Sequence, residues 1–267
     1  MSKKVFIVGA KRSPIGSFLG SLKDVHPAEL GSQVLKALLA ETKVPVDKID
    51  EVIVGNILSA GIGQGIARQI SVKSGIPETV PAYSLNMVCG SGMKTIINAY
   101  HGIKADFAEI VVAGGVESMS GAPFLVNGKV RSGNKMGNME MVDHMIGDAL
   151  TDAFGNMHMG ITAENIVAKY GISREEQDNF AYSSQTKAIK AVDSGRFKDE
   201  IIPIVIKTRK GEIVFENDEY PNRTTTPEIL AKLRPAFVKD GSVTAGNSSG
   251  INDGTSFTII ASEDAVK

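Results

Sequence analysis

The chain reads as an α/β protein with a largely parallel or mixed sheet covered by helices. Three observations predict this. Short apolar runs of strand length recur at 5–8, 52–54, 82–85, 110–113 and 257–260, as expected of strands buried on both faces. Segments with apolar residues at helical spacing lie between the first four, which is the alternation that builds sheets layered with helices. The composition, 42% hydrophobic and 22% charged over 267 residues, is that of a globular chain long enough for one large domain or two smaller ones.

Taken in order, the run at 5–8 is the first strand. Pro27 suits the first turn of a helix, and Leu30, Val34, Ala37 and Leu38 follow at helical spacing. Val52, Ile53 and Val54 form a second strand. Residues 66–74 read as a helix stopped by Gly75. A short strand at 82–85 leads into the next helix, where Met93, Ile96, Ile97, Tyr100 and Ile103 mark one apolar face. Ile110 opens another strand, which closes on Gly114 and Gly115. Residues 119–160 are rich in Gly, Met and Asn with little period, and predict loops and short helices. Ser173 and Glu176 are spaced as a capping box. The helix they open carries Phe180, Ala181, Ala188, Ala191 and Val192 on one side and stops at Gly195. Residues 201–206 suit a strand, with Pro203 pointing to a sheet edge. Strand character returns at Phe257, so residues 119–248 read as an insertion between strands of one sheet, bounded by 1–118 and 249–267.

Charge and cysteine content narrow the function classes. A net charge of −1 gives no electrostatic reason for a nucleic-acid or membrane-surface partner. No apolar run approaches the roughly 20 residues that span a bilayer, and the apolar run after Lys3 and Lys4 is too short for a signal peptide. One cysteine makes no internal disulfide, which fits a reducing, cytoplasmic compartment. The four histidines show no metal-ligand spacing, so no metal is expected.

That cysteine is the candidate nucleophile. Cys89 follows a strand, lies in a turn with Gly90 and Gly92, and precedes a helix. The free N–H groups and the positive end of the helix dipole favour thiolate over thiol. The same N–H groups could hold a thioester oxyanion. The competing reading is that Cys89 is a small buried hydrophobe.

The stretch Leu85-Asn86-Met87-Val88-Cys89-Gly90-Ser91-Gly92 resembles the nucleophile signature of thiolases, the acetyl-CoA acetyltransferases. Further blocks resemble the same family in the same order. These are Arg12-Ser13-Pro14-Ile15-Gly16, Ala113-Gly114-Gly115-Val116-Glu117-Ser118-Met119-Ser120, and His158-Met159-Gly160-Ile161-Thr162-Ala163-Glu164-Asn165. Leu150-Thr151-Asp152, Leu233-Arg234-Pro235-Ala236-Phe237 and Thr244-Ala245-Gly246-Asn247-Ser248-Ser249-Gly250-Ile251-Asn252-Asp253-Gly254 complete them. The resemblance implies a thiolase-like mixed five-stranded sheet with an inserted substrate and CoA-binding loop domain. It implies that Cys89 attacks an acyl-CoA thioester and carries the acyl group, which a second CoA or the enolate of a second acetyl-CoA then takes. Leu150, His158, Met159, Ala245 and Ser249 match positions lining the pantetheine and acyl pocket, with Ser249 hydrogen-bonded to a pantetheine amide. Acetyl-CoA, acetoacetyl-CoA and CoA are then the substrates, with no permanently bound cofactor, in a homodimer or homotetramer. The similarity is to the biosynthetic, short-chain type.

The family continues into a second half of similar fold, carrying a Gly-His-Pro histidine, an Asn-Glu-Ala-Phe segment and a second cysteine. None of these is in the 267 residues. Two readings follow: a working thiolase whose C-terminal half is supplied elsewhere, or a truncated, non-catalytic module that binds CoA or dimerises. The resemblance also implies an exposed apolar helix face where the two halves would pack. The family's adenine-stacking arginine comes one residue late here, at Arg223. Gly61 and Gly63 do not complete a dinucleotide loop, because Ile66 stands where its third glycine is needed. Ser118, Ser248 and Ser249 have no nearby base for a serine triad. Lys207, Arg209 and Lys210 read first as a solvated strand end and second as an attraction for CoA phosphates.

Overall fold

A computed structural model describes residues 3–267. In chain order it contains β1 (Val5–Arg12), β2 (Gly16–Ser17), α1 (Pro27–Thr42), β3 (Glu51–Gly55), α2 (Ile66–Lys73), β4 (Ala82–Leu85), α3 (Ser91–Lys104) and β5 (Ile110–Ser118). There follow β6 (Phe124–Val126), β7 (Met141–Asp143), α4 (Met159–Tyr170), α5 (Arg174–Asp193), β8 (Ile204–Thr208), β9 (Gly211–Phe215), α6 (Pro227–Ala231), β10 (Asn252–Ser262) and α7 (Glu263–Val266). They form two compact units. The first holds the chain up to Gly121 with Lys198–Glu219 and Asn252–Lys267; the second holds Ala122–Phe197 and Tyr220–Ile251.

The first unit is a mixed α/β layer structure. Its sheet runs β1-β10-β5-β3-β4, with the two-residue β2 also on β10. β3 is parallel to β4 and β5, and β10 is antiparallel to β1 and β5. The two-residue period of the strands divides their side chains between two cores. Val52, Val54, Val112, Phe257 and Ile259 face Leu35, Leu38 and Ile70 of α1 and α2. Ile53, Val111, Ala113 and Ile260 face Ala99 and Ile103 of α3. Full burial of each large side chain stabilises the fold by about 1.5–3 kcal/mol. α1 starts where the sequence places it: Pro27 is at the first turn, and the His26 side chain accepts the Ala28 N–H at 3.1 Å.

Two expectations are corrected, on β1 and α5, and one holds: the exposed apolar helix face that the resemblance implies is found on α3, where Met93, Ile97 and Tyr100 are exposed while Thr95, Ala99 and Ile103 are buried. The helix comes so close to β5 that the Thr95 hydroxyl donates to the Gly114 carbonyl at 3.1 Å, so small residues line its start and the larger Ile103 is buried towards its end. β1 is not buried on both faces. It is one of the sheet's two edge strands, and Phe6 and Ile7 are exposed. On α5, behind the expected capping box, Phe180 is likewise exposed.

The hairpin β8–β9 joins the first unit through one buried apolar residue and a charged knot. Ile204 is buried in the core under α1, and Gln33 exchanges two hydrogen bonds with the Val205 backbone, at 2.9 and 3.1 Å. Behind it, Arg12 grips Asp218 with two parallel hydrogen bonds of 2.7 and 2.9 Å and reaches Glu200 at 2.7 Å. Asp218 also accepts the Ile15 N–H at 2.8 Å. Burial opposes ionisation of Asp218, but the Arg12 and Ile15 donors outweigh it and hold its carboxyl below the usual carboxylate range. A depressed pKa in the folded state contributes stability above the unfolded value, near 3.9, and loses it as pH falls through the folded value. Asp218→Asn is therefore expected to destabilise the chain by roughly 1–3 kcal/mol at pH 7. The gap to the parent should stay constant down to about pH 5 and narrow below about pH 4. Urea unfolding followed by circular dichroism across this range checks it, and a gap that widens in acid would contradict the assignment.

Candidate active site

Glycines at the ends of the central strands create the site. β3 ends at Gly55, and a Cβ there would lie 2.8 Å from the Ser91 carbonyl carbon and 2.9 Å from the Gly92 nitrogen. Both are backbone atoms, so only glycine lets the first turn of α3 rest on the end of β3. Above Gly55, Gly115 and Gly254 opens a cavity of about 380 Å³, lined also by Cys89, Arg12 and Glu117.

Cys89 lies in the turn between β4 and α3, two residues before Ser91 opens the helix, and it is exposed. The reading of Cys89 as a buried hydrophobe therefore fails. No side chain caps α3 at Gly90. First-turn N–H groups are thus left for a ligand, and the positive end of the dipole faces the turn. Glu117, which lines the cavity without an assigned role in the sequence, shapes its wall. Its carboxylate accepts from the Ile57 N–H at 2.9 Å, the Leu58 N–H at 3.0 Å and the Asn56 amide at 3.1 Å, and so holds the loop that leaves β3. Its position at the end of an apolar strand was the available signal: a carboxylate there must find donors.

The other five sequence-derived site residues, Leu150, His158, Met159, Ala245 and Ser249, all belong to the second unit. Leu150 ends a one-turn π-helix, Met145–Leu150. Thr151 then bridges to His158, and the Asp152 N–H donates to the Met157 carbonyl at 2.8 Å, which closes the intervening loop. His158 caps α4: its Nδ1 accepts the Gly160 N–H at 3.0 Å, which puts the proton of the neutral ring on Nε2. The ring stacks on Phe237, centroids 5.1 Å apart. Glu164 of α4 accepts the Ser242 and Val243 N–H groups at 2.9 and 2.8 Å. Asn247 then fixes the turn holding Ala245, accepting from Thr244 at 2.7 Å and donating to Asp178 at 2.9 Å. Ala245 and Ser249 are exposed beyond it, and among the described residues the Ser249 hydroxyl has no hydrogen-bond partner. Arg223 pairs with Asp193 at 2.5 Å, an ion pair at the surface. No group of three or more potential metal ligands occurs among the described residues, and no helix there is long and apolar enough to cross a membrane.

Comparison with known proteins bears on the family and the fold. Residues 5–264 match the family described as Thiolase, N-terminal domain. The chain is 50% identical over 265 residues to an acetyl-CoA acetyltransferase of Syntrophomonas wolfei, covering 99% of this chain and 67% of that protein. It is 52% identical over 268 residues to one of Allochromatium vinosum, covering 100% and 68%. The crystal structure of the Bacillus anthracis acetyl-CoA acetyltransferase superposes with a TM-score of 0.95 at 44% identity, over 98% of this chain and 66% of that one. The chain thus spans about two thirds of the length of these relatives.

The contact between β3 and α3 is testable. Gly55→Ala is expected to cost about 1–3 kcal/mol by forcing backbone apart. Gly92→Ala, where an added Cβ meets nothing within 4 Å, should be neutral or gain up to about 1 kcal/mol of helix propensity. Urea midpoints distinguish them; equal midpoints would mean that the strand end does not support the helix.

Proposed function

The chain belongs to the thiolase family, and on that premise we propose that it carries the acyl-cysteine step of an acetyl-CoA C-acetyltransferase. The sulfur of Cys89 attacks the thioester carbonyl of acetyl-CoA. The tetrahedral intermediate collapses by breaking the bond to the CoA sulfur, which leaves as a thiolate and takes up a proton. The acetyl group is now on Cys89. The enolate of a second acetyl-CoA attacks that carbonyl and releases Cys89, giving acetoacetyl-CoA; thiolysis by CoA is the same path reversed. The exposed position of Cys89, beside the uncapped start of α3 and on the wall of a cavity, supports this reading most directly.

By their match to the family's pocket positions, five residues of the second unit are proposed to bind CoA. His158 presents Nε2–H, Ser249 a free hydroxyl, and Leu150, Met159 and Ala245 apolar surface for the pantetheine and a short acyl chain. CoA is a substrate, and no permanently bound cofactor is required. The general base and second cysteine of the family's chemistry are not among these 267 residues. We assign them to the third of the relatives' length that the chain does not match, whether on the same polypeptide or another. The exposed Met93, Ile97 and Tyr100 on α3 fit packing against that part. The homodimer or homotetramer rests on the family resemblance alone; the lone unpaired cysteine fits a reducing, cytoplasmic setting.

Loss of a positioned general base costs about 10²–10⁴-fold. These 267 residues alone should therefore take one acetyl group from acetyl-CoA slowly and turn over almost no acetoacetyl-CoA. Adding the relatives' remaining third as a second polypeptide should restore CoA-dependent thiolysis, and Cys89→Ser should reduce both reactions to background. Intact-mass analysis of the acetylated chain and an assay of acetoacetyl-CoA consumption report the two steps. Acetylation that survives Cys89→Ser would remove the nucleophile assignment.

A further inference from the structure

Val88, directly before Cys89, has φ +47°. A β-branched side chain in this left-handed region crowds its own backbone and is a genuine outlier. The other non-glycine residues with positive φ among the described ones are Leu19, Lys43, Asp106 and Asn156, none of them β-branched. Something must hold Val88 there.

Two side chains do. The Val88 N–H donates to Asn86 Oδ1 at 2.9 Å. The Ser91 hydroxyl accepts the Met87 N–H at 2.8 Å and donates to the Val88 carbonyl at 2.6 Å, so it spans the strained residue from both sides. The Ser91 N–H donates to the same carbonyl at 3.0 Å. Ser91 is buried, 5% exposed, so water does not compete for its hydroxyl. Val88 in turn is what redirects the chain from β4 into α3 and sets where Cys89 stands.

We propose that Asn86 and Ser91 are positioning residues: they clamp Val88 in the left-handed conformation and thereby hold Cys89 at the start of α3. This rests on the reading of Cys89 as the nucleophile. Without the clamp, Val88 relaxes towards the extended or right-handed regions it prefers, and Cys89 leaves its place beside the free N–H groups. The left-handed penalty corresponds to a population change of about 5- to 30-fold. Glycine at 88 carries no such penalty, so it makes the clamp dispensable.

That difference gives the test. Cys89 is the chain's single cysteine and is already exposed, so its alkylation by iodoacetamide is not limited by access. The rate is measured on the whole 267-residue chain for the parent, Ser91→Ala, Val88→Gly and the double variant, with a melting curve for each. Ser91→Ala should slow alkylation by about 5- to 30-fold. Val88→Gly should stay near the parental rate, and the double variant should recover to near that of Val88→Gly. A purely structural role for Ser91 would lower the melting temperature without rescue at 88. Parental alkylation in Ser91→Ala, or a loss that Val88→Gly does not restore, overturns the proposal. If Ser91→Ala does not fold, Asn86→Ala and its pairing with Val88→Gly carry the same comparison. A parent no faster than a short cysteine peptide counts against the nucleophile reading instead; the melting curves then decide the clamp, which requires Val88→Gly to remove most of the destabilisation that Ser91→Ala causes alone.

Discussion

The first turn of α3 rests on the end of β3 with no side chain between them, and much of the first unit follows from that contact. Gly55 makes room for the Ser91 and Gly92 backbone. Further along the helix, Thr95 and Ala99 keep the same close spacing, with the Thr95 hydroxyl on the Gly114 carbonyl. A helix whose first turns are held this near a sheet turns Ser91, Thr95 and Ala99 inward there, and buries the larger Ile103 only near its far end. Its large apolar residues, Met93, Ile97 and Tyr100, must point away. The same proximity brings the uncapped helix start, and Cys89 before it, to the mouth of the cavity at the strand ends.

Polar side chains that bond backbone, rather than apolar packing, shape the loops around both sets of site residues. Glu117 gathers the loop after β3, as Asp218 does the segment at Ile15. In the second unit Glu164 and Asn247 order the segment from Ser242 to Asn247, while His158 spends its Nδ1 on the start of α4. Each such carboxylate or amide satisfies donors that a loop cannot satisfy within itself. The exposed Ser249 hydroxyl carries no such structural hydrogen bond among the described residues. Residues 119–160, which carry so little periodicity in the sequence, form only the short β6–β7 hairpin, one-turn helices and loops, too short for a repeat to register.

What the sequence by itself determined was whatever depends on neighbours along the chain. Strand-length apolar runs at 52–54, 82–85 and 110–113, the helix from Pro27, the stop at Gly75 and the capping box at Ser173 are set by local sterics and a two- or 3.6-residue repeat, and all are present in the structure. The thiolase resemblance likewise lay in contiguous motifs. What only the tertiary structure decided involves partners far apart. The buried side of α3 depended on the distance to β5, not on which residues are apolar. The exposure of Phe6 and Ile7 depended on β1 becoming an edge. The docking of Lys198–Glu219 on the sheet unit depended on Arg12 meeting Asp218, 206 residues away. The strain at Val88 shows the same division on a small scale. Its residue type argues for an extended backbone, while the Asn86 and Ser91 side chains, two to four residues from the groups they bond, favour the left-handed turn; only the folded geometry shows which preference wins.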